Sequence, residues 1–175
     1  MPWRRIIWQG ICRGINESMK KREIAQANFK QGYNCTQSVF LAYAEDFGLD
    51  EELALRVSAS FGGGMGRLRE VCGAVSGMFL VAGLLTGNVD PKDFEGKKRN
   101  YQMVQDMAEA YKQKNERHSI ICRELLGLDT DQPTVSAAAL TGAVPEARTP
   151  EYYKKRPCLE LIGDACDIID SFINQ

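Results

Sequence analysis

The order of apolar and polar residues along the chain predicts a series of helices. Residues 17–30 are polar and helix-favouring, with Asn16 or Ser18 available as the N-cap, which indicates an amphipathic first helix. In residues 35–48 the apolar positions recur at steps of one, three and four, which predicts a second helix that a glycine ends. Asp50 is expected to cap a third helix.

A run of glycines interrupts this pattern in the middle of the chain. Residues 61–66 contain too many glycines for regular structure, so a loop is predicted there. Residues 72–85 are then nearly free of charge and apolar on all sides, which is typical of a buried central helix. Glycines four residues apart are expected to leave flat stripes for close backbone packing, in two pairs: Gly73 with Gly77, and Gly83 with Gly87.

The last third of the chain predicts two longer helices around an irregular segment. A long helix follows Asp90-Pro91, and a short one over 120–126 is stopped by Gly127. Residues 129–150 show no period and are expected to be irregular, and a final helix is predicted over 157–172. The inward face of the long helix is expected to carry Phe94, Tyr101, Val104, Ala108 and Tyr111.

No segment predicts a strand, so the expected fold is all-α. We expect a compact single-domain helical bundle over 19–175, with a glycine-rich loop leading into the buried central helix. Its 175 residues are 44% hydrophobic, which is enough for one core. Residues 1–18 are too short to span a bilayer and lack a secretory cleavage site, so they are expected to be a disordered leader without stable membrane insertion.

Charge and cysteine content narrow the function. With 22 Lys and Arg against 23 Asp and Glu, the net charge of −1 gives no reason to expect nucleic acid as a partner. Six cysteines without an export signal indicate a reducing compartment, expected to be the cytoplasm, where cysteines serve redox or metal chemistry more often than structural bridges. There is no Cys-x-x-Cys, and His118 is the only histidine, which disfavours thioredoxin-like and mixed Cys/His zinc sites.

Cys72 has the clearest physical argument for reactivity. It lies where the glycine run meets the start of the predicted central helix, so backbone N–H groups and the helix dipole are expected to lower its pKa. Arg67 and Arg69 would add to this effect. The alternative is that Cys72 is only a small buried residue. A phosphate-binding loop is disfavoured because no Gly-Lys-Ser/Thr follows the glycines and no strand precedes them.

The remaining cysteines look individually like core residues. Cys158 and Cys166 share one face of the last predicted helix but lie ~12 Å apart along its axis, too far for a disulfide. One of them is free to line a site while the other fills core. Cys122 has apolar neighbours that direct it inward.

Several motifs together resemble one family. Phe-Gly-Gly-Gly-Met-Gly-Arg at 61–67 and Cys-Gly-Ala-Val-Ser-Gly at 72–77 are similar to the characteristic segment of the C_GCAxxG_C_C family of redox-active proteins. Gly-Tyr-Asn-Cys at 32–35 lies upstream, Cys122 precedes Leu-Leu-Gly at 125–127, and Cys158 opens the last helix. The resemblance covers about 28–170, leaving Cys12 and Cys166 outside.

The resemblance implies redox activity or metal binding by four cysteines, namely Cys35, Cys72, Cys122 and Cys158. The resemblance implies an oxidoreductase or electron-transfer protein that uses thiol/disulfide chemistry. Such a protein is expected to exchange electrons with a redox partner protein. A related module in split-Soret cytochromes is associated with an iron–sulfur cluster, so the alternative is a cluster on the same four cysteines, with the backbone of Gly73 and Gly77 next to the cofactor. A structural zinc site on the same cysteines ranks below the cluster. The last alternative is a homodimeric helical interaction module whose buried cysteines are inert.

Overall fold

The chain folds into packed helices, as the sequence predicts. The computed structural model describes residues 19–128, 142–145, 147, 149–154 and 156–174. The helices are α1 Lys21–Lys30, α2 Cys35–Ala44, a 3₁₀ helix Glu45–Phe47, α3 Glu51–Ala59, α4 Gly62–Met65, α5 Gly73–Thr86, α6 Phe94–Lys114, α7 Cys122–Leu125, α8 Pro150–Lys154 and α9 Cys158–Ile173. Among the described residues there is no strand, only an isolated bridge between Val71 and Ile121.

The first helix begins later than predicted. It opens at Lys21 rather than at residue 17, because Lys20 is the N-cap and Glu23 accepts a hydrogen bond from its backbone N–H at 3.2 Å. The proposed caps Asn16 and Ser18, like the whole predicted leader 1–18, lie outside the described residues.

Side-chain caps fix the starts of α2 and α3. The Asn34 side chain accepts hydrogen bonds from the N–H groups of Thr36 and Gln37, each at 3.0 Å, so α2 begins with Cys35 as its first residue. Asp50 caps α3 as predicted, accepting from the N–H of Leu53 at 3.0 Å. The Asn34 cap matters for the site because it fixes the backbone that carries Cys35.

Helix α5 is the central helix, and one of its two glycine pairs has the predicted role. A Cβ on Gly77 would lie 2.8 Å from the Cβ of Val39, and one on Gly73 would lie 3.0 Å from the Cβ of Cys35, so α2 packs directly on this stripe. The prediction for Gly83 and Gly87 was wrong. Gly83 is exposed, and a Cβ on it would meet no atom within 4 Å. The atom nearest to a Cβ on Gly87 would be the carbonyl oxygen of Gly83, four residues earlier in the chain. The C-terminal end of α5 therefore lies at the surface.

The predicted inward face of α6 is correct in the second half of the helix and wrong in the first. Tyr111 is buried and Val104 and Ala108 are partly buried, as predicted, whereas Phe94 and Tyr101 are 77% and 59% exposed. Asp93 caps the helix by accepting from the N–H of Gly96 at 2.7 Å.

The C-terminal part agrees with the prediction except for one added helix. Helix α7 is shorter than expected, and Gly127, with φ of +63°, ends this turn. Helix α9 matches the predicted final helix within one residue at each end. Helix α8 begins at the end of the predicted irregular connection, most of which lies outside the described residues. In the described part of the chain, no helix has the length and apolar character needed to cross a membrane.

Candidate functional site

The segment between α3 and α5, for which the sequence predicts a loop over 61–66, contains the four-residue helix α4, and its backbone conformation is unusual. The glycines at 63, 64 and 66 have positive φ, and so do three residues that are not glycine, Met65, Arg67 and Arg69. Left-handed conformations cost energy in residues that have a Cβ, so the surrounding structure must hold them in place. Here the segment is tied to the start of α7, because Cys122 N–H donates to the Glu70 carbonyl at 2.6 Å and Cys72 N–H donates to the Ile120 carbonyl at 2.8 Å.

Three glycines allow the backbones that carry cysteines to approach one another. A Cβ on Gly64 would lie 2.6 Å from the Cβ of Cys122, and one on Gly62 would lie 2.4 Å from Cγ of Asn34, the cap residue before Cys35. Gly73 makes the same kind of approach to Cys35 itself. Real side chains do not fit at these distances, so the glycines are a steric requirement for bringing the cysteines together.

The four cysteines predicted as the site line one cavity of about 210 Å³. Cys35 is partly exposed, and Cys72, Cys122 and Cys158 are buried. They come from the starts of α2, α5, α7 and α9, so four helix N-termini point toward the same space. No cysteine in the described part of the chain forms a disulfide. The fifth of these, Cys166, is fully buried elsewhere in α9 and does not line the cavity.

The predicted low pKa of Cys72 is wrong. Burial, together with the like charge of the nearby Cys122 and Cys158, raises the pKa of this thiol to about 12. The N–H groups of Ala74 and Val75 lower the pKa of Cys72, as expected, but neither makes a regular cap hydrogen bond to the sulfur. The rise in pKa caused by desolvation therefore exceeds the fall caused by the helix N-terminus.

Arg69 acts on a different cysteine from the one predicted. Burial keeps the pKa of Cys122 above its ordinary value, and the guanidinium groups of Arg69 and Arg156 lower it in part. Arg67 donates from Nε to the carbonyl of Gly142 at 2.8 Å. The cationic side of the cavity is thus next to Cys122 rather than Cys72.

Cys35 is influenced most strongly by Cys158. A side-chain hydrogen bond with Cys158 is the largest reason why the pKa of Cys35 lies well above its ordinary value. Burial and the neighbouring Cys72 and Cys122 act in the same direction. Cys35 is therefore a thiol, not a thiolate, at neutral pH.

The family model described as "Putative redox-active protein (C_GCAxxG_C_C)" matches residues 33–172. The chain belongs to this family. The matched range begins just before α2 and ends within α9, so it includes all four cavity cysteines and all the glycines that pack against them. No curated protein and no solved structure shows significant similarity to the chain.

The structure explains the glycines of the segment Cys-Gly-Ala-Val-Ser-Gly at 72–77. Gly73 and Gly77 are positions at which α2 packs against α5. The segment therefore supplies both a cavity thiol and the small residues that let α2 and α5 meet. The backbone role of these two glycines is packing against α2, and a contact with a cofactor remains a prediction.

A single metal ion does not find a ready ligand group. Within the described residues, no group of three or more His, Cys, Asp or Glu side chains has the arrangement of a metal-binding group. The donor set itself, four cysteine sulfurs around one space, is the type that iron–sulfur clusters use.

Sequence reasoning missed two residues that line the cavity, Arg156 and Tyr152. The guanidinium of Arg156 is buried and lies 4.9 Å from the ring centroid of Tyr152, a cation–π contact. Arg156 stands two residues before Cys158, and this proximity is the only signal in the sequence. Only the tertiary structure shows that Arg156 lines the cavity, because α8 and the start of α9 together close one side of it.

Proposed function

We propose that the chain is a thiol redox protein in which Cys35 and Cys158 form the reactive dithiol/disulfide pair. The observation that carries this proposal is that both cysteines line one cavity, which reaches the surface at Cys35. Cys158 is also the neighbour that raises the pKa of Cys35 most. The family description of redox activity supports the same class of function.

The reaction is a thiol–disulfide exchange with an acceptor disulfide. One cysteine loses its proton and attacks one sulfur of the acceptor disulfide, whose S–S bond breaks, and the other sulfur leaves as a thiol that takes that proton. The second cysteine then attacks the mixed disulfide, and the second half of the acceptor leaves with the second proton. Two electrons pass from the Cys35–Cys158 pair to the acceptor, and a redox partner protein would reverse the exchange.

The pairing is tested by equilibrating the protein in dithiol/disulfide buffers, trapping free thiols with an alkylating reagent, and mapping the peptides by mass spectrometry. We expect one disulfide, between Cys35 and Cys158, with a single two-electron transition. Cys35→Ser and Cys158→Ser should each remove that transition. Cys166→Ala is the matched control, because Cys166 lies in the same helix as Cys158 but away from the cavity, and it should titrate as the wild type.

Two results would contradict the assignment. One is a disulfide that forms equally well in the Cys35→Ser and Cys158→Ser proteins. The other is a fully reduced protein across the whole range of buffers. Either result would direct attention to the other two cavity thiols or to a cofactor.

A second candidate is an electron carrier with an iron–sulfur cluster held by Cys35, Cys72, Cys122 and Cys158. It is favoured by the convergence of four cysteines from four helix starts next to two buried arginines, since a cluster with four thiolates carries negative charge. When bound, such a cluster supplies one-electron transfer. The chain's own residues would supply the sulfur ligands and, through Arg69 and Arg156, compensating positive charge.

The cluster is tested by anaerobic reconstitution with iron and sulfide. Visible absorption with iron and sulfide in equal amounts would favour it, and Cys122→Ser should then reduce the bound iron whereas Cys166→Ala should not. Colourless protein without iron after reconstitution would exclude the cluster and leave the dithiol pair.

A further inference from the structure

Helix α6 exposes two aromatic side chains that its apolar pattern places on an inward face. Phe94 and Tyr101 are 77% and 59% exposed, although they share that pattern with the buried Tyr111. Single apolar residues are normal at a protein surface, but two aromatic rings on one side of one helix form a patch. Both rings line one open groove of about 360 Å³.

The groove belongs to α6 alone and follows one side of the helix. The side chains that line it are Phe94, Lys97, Lys98, Tyr101, Gln102 and Gln105. Residues 94, 98, 101, 105, 108 and 112 recur at steps of four and three, so they form one continuous stripe, called here the α6 stripe. Because these steps read the same from either end, the stripe of a second copy in antiparallel orientation meets it residue against residue.

The charges along α6 favour the antiparallel orientation. Three basic residues at 97–99 lie in its first half, and Asp106 and Glu109 lie in its second half. A parallel copy would place like charges together, whereas an antiparallel copy brings Lys98 beside Glu109 of the other chain. Lys98 is exposed and forms no ion pair with a described residue. Glu109 contacts only residues of its own helix, and its ion pair with Lys112 is long at 3.7 Å.

A second copy also suits the α6 stripe better than the chain's own N-terminal segment does. Residues 1–18 contain three arginines and one glutamate, so they would bring positive charge to the basic half of α6. A second copy brings a matching acidic half. Charge complementarity therefore selects another molecule of the same chain.

We propose that the α6 stripe is the contact surface of a homodimer, in which α6 packs antiparallel on α6 of a second copy about a two-fold axis. The facing pairs are Phe94 with Lys112, Lys98 with Ala108, and Tyr101 with Gln105. A contact between two helices is smaller than the roughly 800 Å² per partner of standard interfaces, so the dimer is weak and reversible. The stripe shares no residue with the lining of the thiol cavity, so the dimer is independent of the proposed function.

The mass of the full-length protein in solution tests the dimer. Sedimentation equilibrium under reducing conditions, which prevent disulfides between copies, should show a monomer at low concentration and a dimer at high concentration. Phe94→Ser and Tyr101→Ser should each weaken the dimer by about tenfold, because aromatic residues contribute much of the affinity of small interfaces. Leu53→Ser is the matched control. Leu53 is 51% exposed but lies on α3, which packs on α2, so its replacement should leave the dissociation constant unchanged.

Charge reversal tests the antiparallel pairing. Lys98→Glu places like charges opposite each other at both ends of the symmetric contact and should weaken the dimer by about tenfold. Glu109→Lys should have the same effect for the same reason. When the two variants are mixed, both facing pairs have opposite charges again, so the mixture should associate as tightly as the wild type. Circular dichroism checks that each variant keeps its helix content.

Three results would overturn the proposal. The first is a wild-type protein that stays monomeric at every concentration, in which case residues 1–18 or a different protein would be left to cover the α6 stripe. The second is a dimer that Phe94→Ser and Tyr101→Ser leave intact, which would place the interface elsewhere. The third is a mixture of folded Lys98→Glu and Glu109→Lys proteins that associates no better than either variant alone.

Discussion

Burial governs the chemistry of the individual thiols. Cys72 has the local environment of an activated cysteine, with helix N–H groups ahead of it, and yet its pKa lies near 12. Cys166, which has no part in the cavity, has a pKa near 12 for the same first reason, desolvation, with Asp170 nearby. The energy of removing a thiolate from water exceeds what a few backbone dipoles return.

The raised pKa of Cys166 predicts a loss of stability at alkaline pH. A group whose folded pKa lies above its unfolded one contributes stability that is full below the unfolded pKa and is lost as the pH rises through the folded pKa. Denaturant unfolding under reducing conditions should therefore show a free energy of unfolding that falls between about pH 9 and 12. In Cys166→Ala the free energy of unfolding should fall less steeply with pH, by up to ~1.4 kcal/mol per pH unit. The same dependence on pH in this variant as in the wild type would show that Cys166 does not cause the loss of stability.

At the scale of elements, glycines decide which helices touch. Gly77 faces α2 at a distance that leaves no room for a Cβ, while Gly83 lies one and a half turns later on the same helix with open space around it. The sequence cannot distinguish them, because both are glycines in an apolar run and both belong to a pair four residues apart. Only the position of α2 separates a packing glycine from an exposed one.

The two glycines of α5 are predicted to respond to alanine in opposite directions. Gly77→Ala should destabilise the fold by about 1–3 kcal/mol, because the new methyl would overlap Val39 and the backbone oxygen of Thr36. Gly83→Ala should stabilise it by about 0.5–1 kcal/mol, since alanine lowers the backbone entropy cost of the helix and meets nothing. Thermal or denaturant unfolding measures both. A Gly77→Ala protein as stable as the wild type would show that α2 is able to shift without cost.

At the scale of the whole molecule, an ionic network joins the N-terminal helix to the C-terminal one. Arg22 of α1 pairs with Asp167 at 2.6 Å, Glu160 at 2.5 Å and Asp164 at 3.3 Å, all on α9. Lys114 at the end of α6 adds a contact to Asp167 at 3.2 Å. The guanidinium lies directly over Gly163, where any Cβ would collide with it. The helix that carries Cys158 is thereby held against the rest of the bundle.

Removing the centre of this network should weaken the whole bundle. Arg22→Met keeps much of the side-chain volume but leaves three carboxylates close together, so we expect a loss of about 1–2 kcal/mol in the free energy of unfolding. The same change at Arg56, which makes only an exposed pair within α3, should cost no more than about 0.5 kcal/mol. Urea unfolding of the two variants measures the difference, and equal effects would show that the network carries no special stability.

The sequence by itself determined the helical class, the cap at Asp50, the stop at Gly48, which ends the 3₁₀ helix after α2, and the position of α9, because these depend on residues close together in the chain. It also indicated, through the family resemblance, which four cysteines belong together. Tertiary structure decided that these four line one cavity, which glycines pack, how much of α6 is buried, and that Arg69 acts on Cys122. These features join segments far apart in sequence, and the burial that raises the pKa of Cys72 and Cys122 exists only when α2, α5, α7 and α9 meet around one cavity.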